Sequence, residues 1–135
     1  MIVLDENLLS VRPDELIAAW YPGRVCYITD LGRGMVIKDE AIPRLLHKAK
    51  GATFITTDVP DFWRRVPAHP RYCIICVDMP HERLCEVPQL LRPLFRLAEL
   101  RTKALRMGKV VRVSRGQIQY YAVGDERVRT LAWPG

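Results

Sequence analysis

Ala52-Thr53-Phe54-Ile55-Thr56-Thr57-Asp58 runs through β-branched and aromatic residues to an acid, and Gly51 stands directly before it. A short apolar run bounded this way reads as a buried strand entered from a helix. Upstream, residues 39–50 place Ile42, Leu45, Leu46 and Ala49 at helical spacing. Pro43 is tolerated only in a first turn, so this helix is expected to begin near Asp39 or Glu40. Before it, residues 24–29 (RVCYIT) read as a second strand, followed by a loop over 30–38 with Gly32 and Gly34. Residues 13–20 read as a helix with Leu16, Ile17 and Trp20 on one face, and Ile2-Val3-Leu4 as the first strand. Strands separated by helices imply parallel pairing through right-handed crossovers.

Downstream, one helical turn is expected over 61–66 and a fourth strand over 71–77. Residues 87–107 carry a leucine-rich stripe and read as one long helix, with Pro88 at its start and Pro93 able to kink it. Strands over 110–113 and 117–123 flank Ser114-Arg115-Gly116 as a hairpin. The order is β-α-β-α-β-β-α-β-β, in one α/β domain over 1–123. Residues 124–135 are expected to form a partly ordered C-terminal tail.

The chain has 135 residues, of which 49% are hydrophobic, enough for a core and too many for a disordered chain. No stretch is long and apolar enough for a bilayer span. The apolar start stops at Asp5 without a basic lead, which is wrong for a signal peptide. A cytoplasmic protein with reduced thiols and no membrane contact is therefore expected. Cys73 and Cys76 would face opposite sides of a strand, and no second pair completes a zinc site. The net charge of +6 is uneven: residues 1–70 hold nine acids and nine bases, residues 71–135 six and twelve. Such a basic half suits a polyanionic partner, or an ordinary solvated face.

Acids follow successive strands: Asp5 and Glu6 after the first, Asp30 after the second, Asp58 and Asp61 after the third. Asp39 and Glu40 open the helix leading into the third. In open parallel sheets, sites form beyond the carboxyl ends of the strands. Singly, such acids cap helices or sit in turns. Gathered, they repel unless a cation neutralises them, and hard oxygen ligands suit Mg²⁺ or Mn²⁺.

Ile2-Val3-Leu4-Asp5-Glu6-Asn7, Thr29-Asp30-Leu31-Gly32-Arg33-Gly34, Lys38-Asp39-Glu40-Ala41-Ile42 and Phe54-Ile55-Thr56-Thr57-Asp58-Val59-Pro60-Asp61-Phe62 together resemble the successive motifs of PIN-like domains. The closest likeness is to small members that begin with an LDEN-type motif. The resemblance covers about residues 1–77 and implies a three-layer fold, a mostly parallel central sheet flanked by helices, with a C-terminal β-hairpin added. It also implies a metal-dependent ribonuclease, the toxin of a toxin–antitoxin pair, with RNA as substrate, an antitoxin protein as partner and a homodimeric assembly. On this resemblance Asp5 is the first metal ligand, Asp39 the helix-opening acid with Glu40 as rival, and Asp58 and Asp61 the acids after the third strand. Thr56 or Thr57 would supply a hydroxyl, Asn7 would position the first loop, and Glu6 would support it.

The family's D-x-D-F spacing is lengthened here by one residue, and Pro43 is unusual in the acid-bearing helix. These departures motivate a rival reading: a catalytically weak or inactive module that binds RNA or protein. A phosphoacceptor receiver domain also places acids after strands one and three. It needs a lysine at the end of a late strand, where this chain has Val77-Asp78-Met79-Pro80. Arg92, Arg96, Lys103 and Arg106 are expected along one side of the long helix as an RNA track, or as its wet face. Trp63, beside Arg64 and Arg65, suits a hydrophobic anchor or a partner contact better than a base-stacking platform. His47, His69 and His81 are scattered, and Ser10 and Ser114 lack a base, so no hydrolytic triad is expected.

Overall fold

The computed structural model describes residues 1–32 and 38–133. Arg33 and Gly34, which close the second motif quoted above, lie outside the described residues. Among the described residues seven strands form one sheet: β1 (Ile2–Leu4), β2 (Val25–Tyr27), β3 (Ala52–Thr56), β4 (Tyr72–Val77), β5 (Lys109–Ser114), β6 (Gln117–Ala122) and β7 (Asp125–Ala132). Their spatial order is β2-β1-β3-β4-β5-β6-β7. The first five strands run parallel, and β6 and β7 are antiparallel additions at one edge.

Among the described residues six α-helices accompany them: α1 (Asp14–Ala18), α2 (Ile28–Leu31), α3 (Ile42–Ala49), α4 (Val59–Phe62), α5 (Val87–Leu94) and α6 (Lys103–Arg106). Strand alternation sends Leu4, Ile55, Cys73 and Ile75 to one face, where Leu8, Ile17, Leu84 and Leu91 cover them. Val3, Phe54, Ile74 and Cys76 face the other way, under Ile42, Leu46 and Phe62. The sheet is thus sandwiched between two helical layers, and its central strands β3 and β4 are buried throughout. Each large side chain so buried contributes about 1.5–3 kcal/mol. Cys73 and Cys76 take opposite faces as their spacing requires, and burial raises both thiols to about 12. Among the described residues no helix is long and apolar enough to cross a membrane.

The expected helix over 87–107 is two short helices. Pro93 lies inside α5, which ends one residue later. Its missing N–H and bulky ring weaken that turn, and the chain continues through i→i+3 bonds, Arg96 to Pro93 and Leu97 to Leu94. Thr102 then adopts an extended backbone and its hydroxyl accepts the Leu105 N–H, starting α6 afresh. Within the segment expected as a partly ordered tail, residues 125–132 form β7, which pairs with β6 over Gln117–Ala132 to Tyr120–Arg129, and Trp133 is buried in the core. Asp30, expected to open a loop, lies in α2, and its carboxylate accepts the Tyr27 N–H as a helix cap.

Candidate metal centre

The site is built at the carboxyl ends of β1 and β3. These strands pair in parallel with Leu4 opposite Ile55, so the residues just beyond them emerge side by side. Asp5 continues the ladder, its N–H donating to the Ile55 carbonyl at 2.9 Å. Its carboxylate is buried and doubly held. One oxygen accepts the Glu6 N–H at 2.8 Å, capping the short 3₁₀ turn Glu6–Leu8, and the other accepts the Thr56 hydroxyl at 2.6 Å. Thr56 itself ends β3, and its Oγ1 accepts the Asp58 N–H at 3.0 Å.

Asp58 stands where β3 gives way to α4. Val59 and Pro60 fill the first turn of that helix, where a proline costs no hydrogen bond, and Asp61 follows on its exposed side while Phe62 is buried against Phe54. Asp39 arrives from across the site, at the start of the 3₁₀ turn Asp39–Ala41 that precedes α3. Pro43 sits in the first turn of α3, so the helix starts after Asp39 rather than at it. Ligand-capable oxygens of Asp39, Asp58 and Asp61 lie within 4.8 Å of one another.

Of the residues singled out in the sequence, Asp39, Asp58 and Asp61 form the cluster, and Asp5 sits behind them, joined through Thr56. Glu40 is exposed and lines the same hollow as Asp39 and Asp61 without joining the three. Thr56, not Thr57, touches the acids. Thr57 Oγ1 accepts from Asn7 Nδ2 at 2.9 Å, tying the first loop to the end of β3. Glu6 acts on Asp5 through its backbone N–H and as a nearby charge. Among the described residues, Arg65 is the cation that lines the hollow with Asp39 and Asp61. Its neighbour Trp63 packs against Tyr121 with ring centroids 5.2 Å apart, as an anchor.

Three ionised carboxylates this close repel one another. At 4.8 Å each pair costs between about 1 kcal/mol in bulk water and about 3.5 kcal/mol at an effective dielectric of 20. The cluster's proton affinity reflects this. Burial, the Asp61 carboxyl, and the charges of Asp58 and Asp5 push Asp39 up to about 6. Burial and then Asp61 push Asp58 upward, and burial raises Asp5 against the lowering bonds from Thr56 and Glu6.

No family model, curated protein or solved structure matches the chain. The chemistry of the site therefore rests on its own geometry. Oxygen ligands of one Mg²⁺ or Mn²⁺ ion, bound at about 2.1 Å, stand at most about 4.2 Å apart. The 4.8 Å bound on the cluster is close to that spacing, and an all-carboxylate donor set is the kind that hard divalent cations take.

The expected basic track takes a different form. With the long helix broken, Arg92 lies on α5, Arg96 just beyond it, and Lys103 and Arg106 on α6. Lys103 lies against Gly51, which precedes β3, whereas Asp58 follows β3. The track and the acids are therefore separated by the length of that strand, about 16 Å at 3.3 Å per residue.

Proposed function

We propose that this chain is a PIN-like, Mg²⁺- or Mn²⁺-dependent ribonuclease. The observation that carries the reading is the convergence of Asp39, Asp58 and Asp61 to within 4.8 Å at the carboxyl ends of parallel strands. Its order of motifs resembles that of PIN-like domains. In this reading Asp39, Asp58 and Asp61 hold the ion. A divalent ion so bound supplies Lewis-acid chemistry, lowering the pKa of water and offsetting charge on a phosphodiester. Asp5 keeps the Thr56 hydroxyl oriented, and Thr56 in turn fixes the backbone of Asp58. Arg65 offers a guanidinium to a phosphate lying over the hollow.

The test is cleavage of a single-stranded RNA by the purified chain with Mn²⁺. Asp58→Asn is expected to lower the rate at least about 100-fold while the far-ultraviolet circular dichroism is unchanged. Cleavage by that variant at the full rate would sink the proposal.

A second reading, a binding module without turnover, is favoured by one observation. The Asp61 carboxyl raises the proton affinity of Asp39, so a proton held at Asp39 can relieve the repulsion in place of a cation. RNA retention without cleavage at any Mn²⁺ concentration is the outcome that selects it.

A further inference from the structure

A second cavity, of about 570 Å³, opens at the other end of the sheet, between the end of α1 and the segment from α5 to α6. Its charged lining is all of one sign. Arg92, Arg96, Arg101 and Lys103 line it from exposed positions, and Arg106 lines it from inside. Among the described residues no carboxylate lines the cavity and none of these five forms a salt bridge.

Arg106 is the informative member. It is only 6% exposed, yet a guanidinium stays charged at any physiological pH. One amino group donates to the Leu100 carbonyl at 3.0 Å, and the cation lies 4.6 Å from the centre of the Phe95 ring. Its Nε is buried without any hydrogen-bond partner. Burial of a permanent cation is costly unless an anion joins it, and among the described residues no protein anion forms a salt bridge with it. Four further cations around the same opening add to the repulsion that an incoming anion would relieve.

The rest of the wall is aromatic. Trp20 and Tyr21 pack edge-on against Phe95 at 5.7 and 6.1 Å, and all three line the cavity. A lone phosphate would fill only a small part of this volume and leave the rings unused. A planar base can stack on Trp20, which is partly exposed, while phosphates reach the arginines. The volume lies within the range of pockets that enclose small ligands.

We propose that this cavity binds a nucleoside diphosphate, with the phosphates at Arg106 and its neighbouring cations and the base at Trp20. The proposal is independent of the acidic cluster and of any cleavage.

The test is fluorescence titration of the full chain with ADP, pyrophosphate and adenosine. Trp63 packs on Tyr121 and Trp133 lies in the core, so Trp20 is the tryptophan placed to report. Saturable quenching by ADP is expected, at least tenfold tighter than the binding of pyrophosphate or adenosine. In the variant carrying Arg96→Glu and Arg101→Glu, both at exposed positions, ADP affinity is expected to fall at least tenfold. Arg106→Gln is expected to abolish binding. Should that variant fail to fold by circular dichroism, the exposed pair decides the matter. Absence of ADP binding, equal affinity for ADP and pyrophosphate, or an unchanged affinity in the exposed-charge variant would each overturn the proposal.

Discussion

Thr56 donates a 2.6 Å hydrogen bond to the Asp5 carboxylate across two adjacent parallel strands. The same hydroxyl oxygen accepts the Asp58 backbone N–H at 3.0 Å, so one buried side chain links the acid after β1 to the acid after β3. Groups that orient a ligand without touching the ion commonly change metal affinity 10–100-fold when removed.

Thr56→Val keeps the shape and removes this link. It leaves a buried carboxylate short of a donor, at a stability cost of about 1–3 kcal/mol. Mn²⁺ affinity is expected to fall about tenfold or more. Urea denaturation and a calorimetric metal titration read the two effects separately, whereas Thr56→Ser should restore most of both.

The raised proton affinity of Asp39 sets a pH dependence. A carboxyl whose folded-state value lies near 6, above its ordinary 3.8, is held protonated more tightly by the folded chain than by the unfolded one. This group therefore makes the metal-free protein more stable as the pH falls from about 7 through 6 towards 4. Asp39→Asn should remove that dependence. It is expected to stabilise the metal-free protein at pH 7 by about 1 kcal/mol, allowing for solvent screening, and to have little effect at pH 4. Paired urea titrations of wild type and variant at the two pH values check the sign, and saturating Mn²⁺ should reverse the advantage at pH 7.

Much of this arrangement is legible in the sequence. The apolar run of residues 52–56 and its parallel neighbours follow from composition and from the helices between them, and Asp5 and Asp58 end neighbouring strands as the crossover logic requires. The one-residue lengthening between Asp58 and Asp61 does not separate them, because Val59 and Pro60 form a helical turn that brings Asp61 back to the site. The break after Pro93 was harder to read. Leucine spacing continues across it, and only the capping geometry of Thr102 shows a second helix beginning. Burial of Arg106 was equally hidden, because a basic residue at the end of a charged helix reads as solvated. Asp30 followed the strand-end pattern, but a local cap with Tyr27 claims it instead.

Phe62 is the apolar anchor under α4. It is fully buried, 5.4 Å from the Phe54 ring, and directly follows Asp61. Phe62→Ala should cost about 3–5 kcal/mol through lost contacts and the cavity left behind. Because the same turn carries Asp61, metal affinity should weaken along with stability, a coupling visible when both are measured on one preparation. Undiminished affinity in a destabilised variant would mean that Asp61 is not held by this packing.

Ending the chain after residue 123 removes β7 and Trp133. Ile118 loses its partner Leu131, and β6 becomes a bare edge. The shortened chain is expected to melt lower and to self-associate, as read by thermal denaturation and size-exclusion chromatography. A monomer with unchanged melting would show that β7 adds nothing to the sheet's stability.

The most direct test is calorimetric titration of Mn²⁺ into the metal-free chain, alongside Asp39→Asn and Asp58→Asn. One carboxylate-dependent site is expected in the wild type, with affinity lowered at least tenfold in each variant and folding retained in both. Absence of a saturable site in the wild type, or the same affinity in all three proteins, would contradict a cation at the meeting point of Asp39, Asp58 and Asp61.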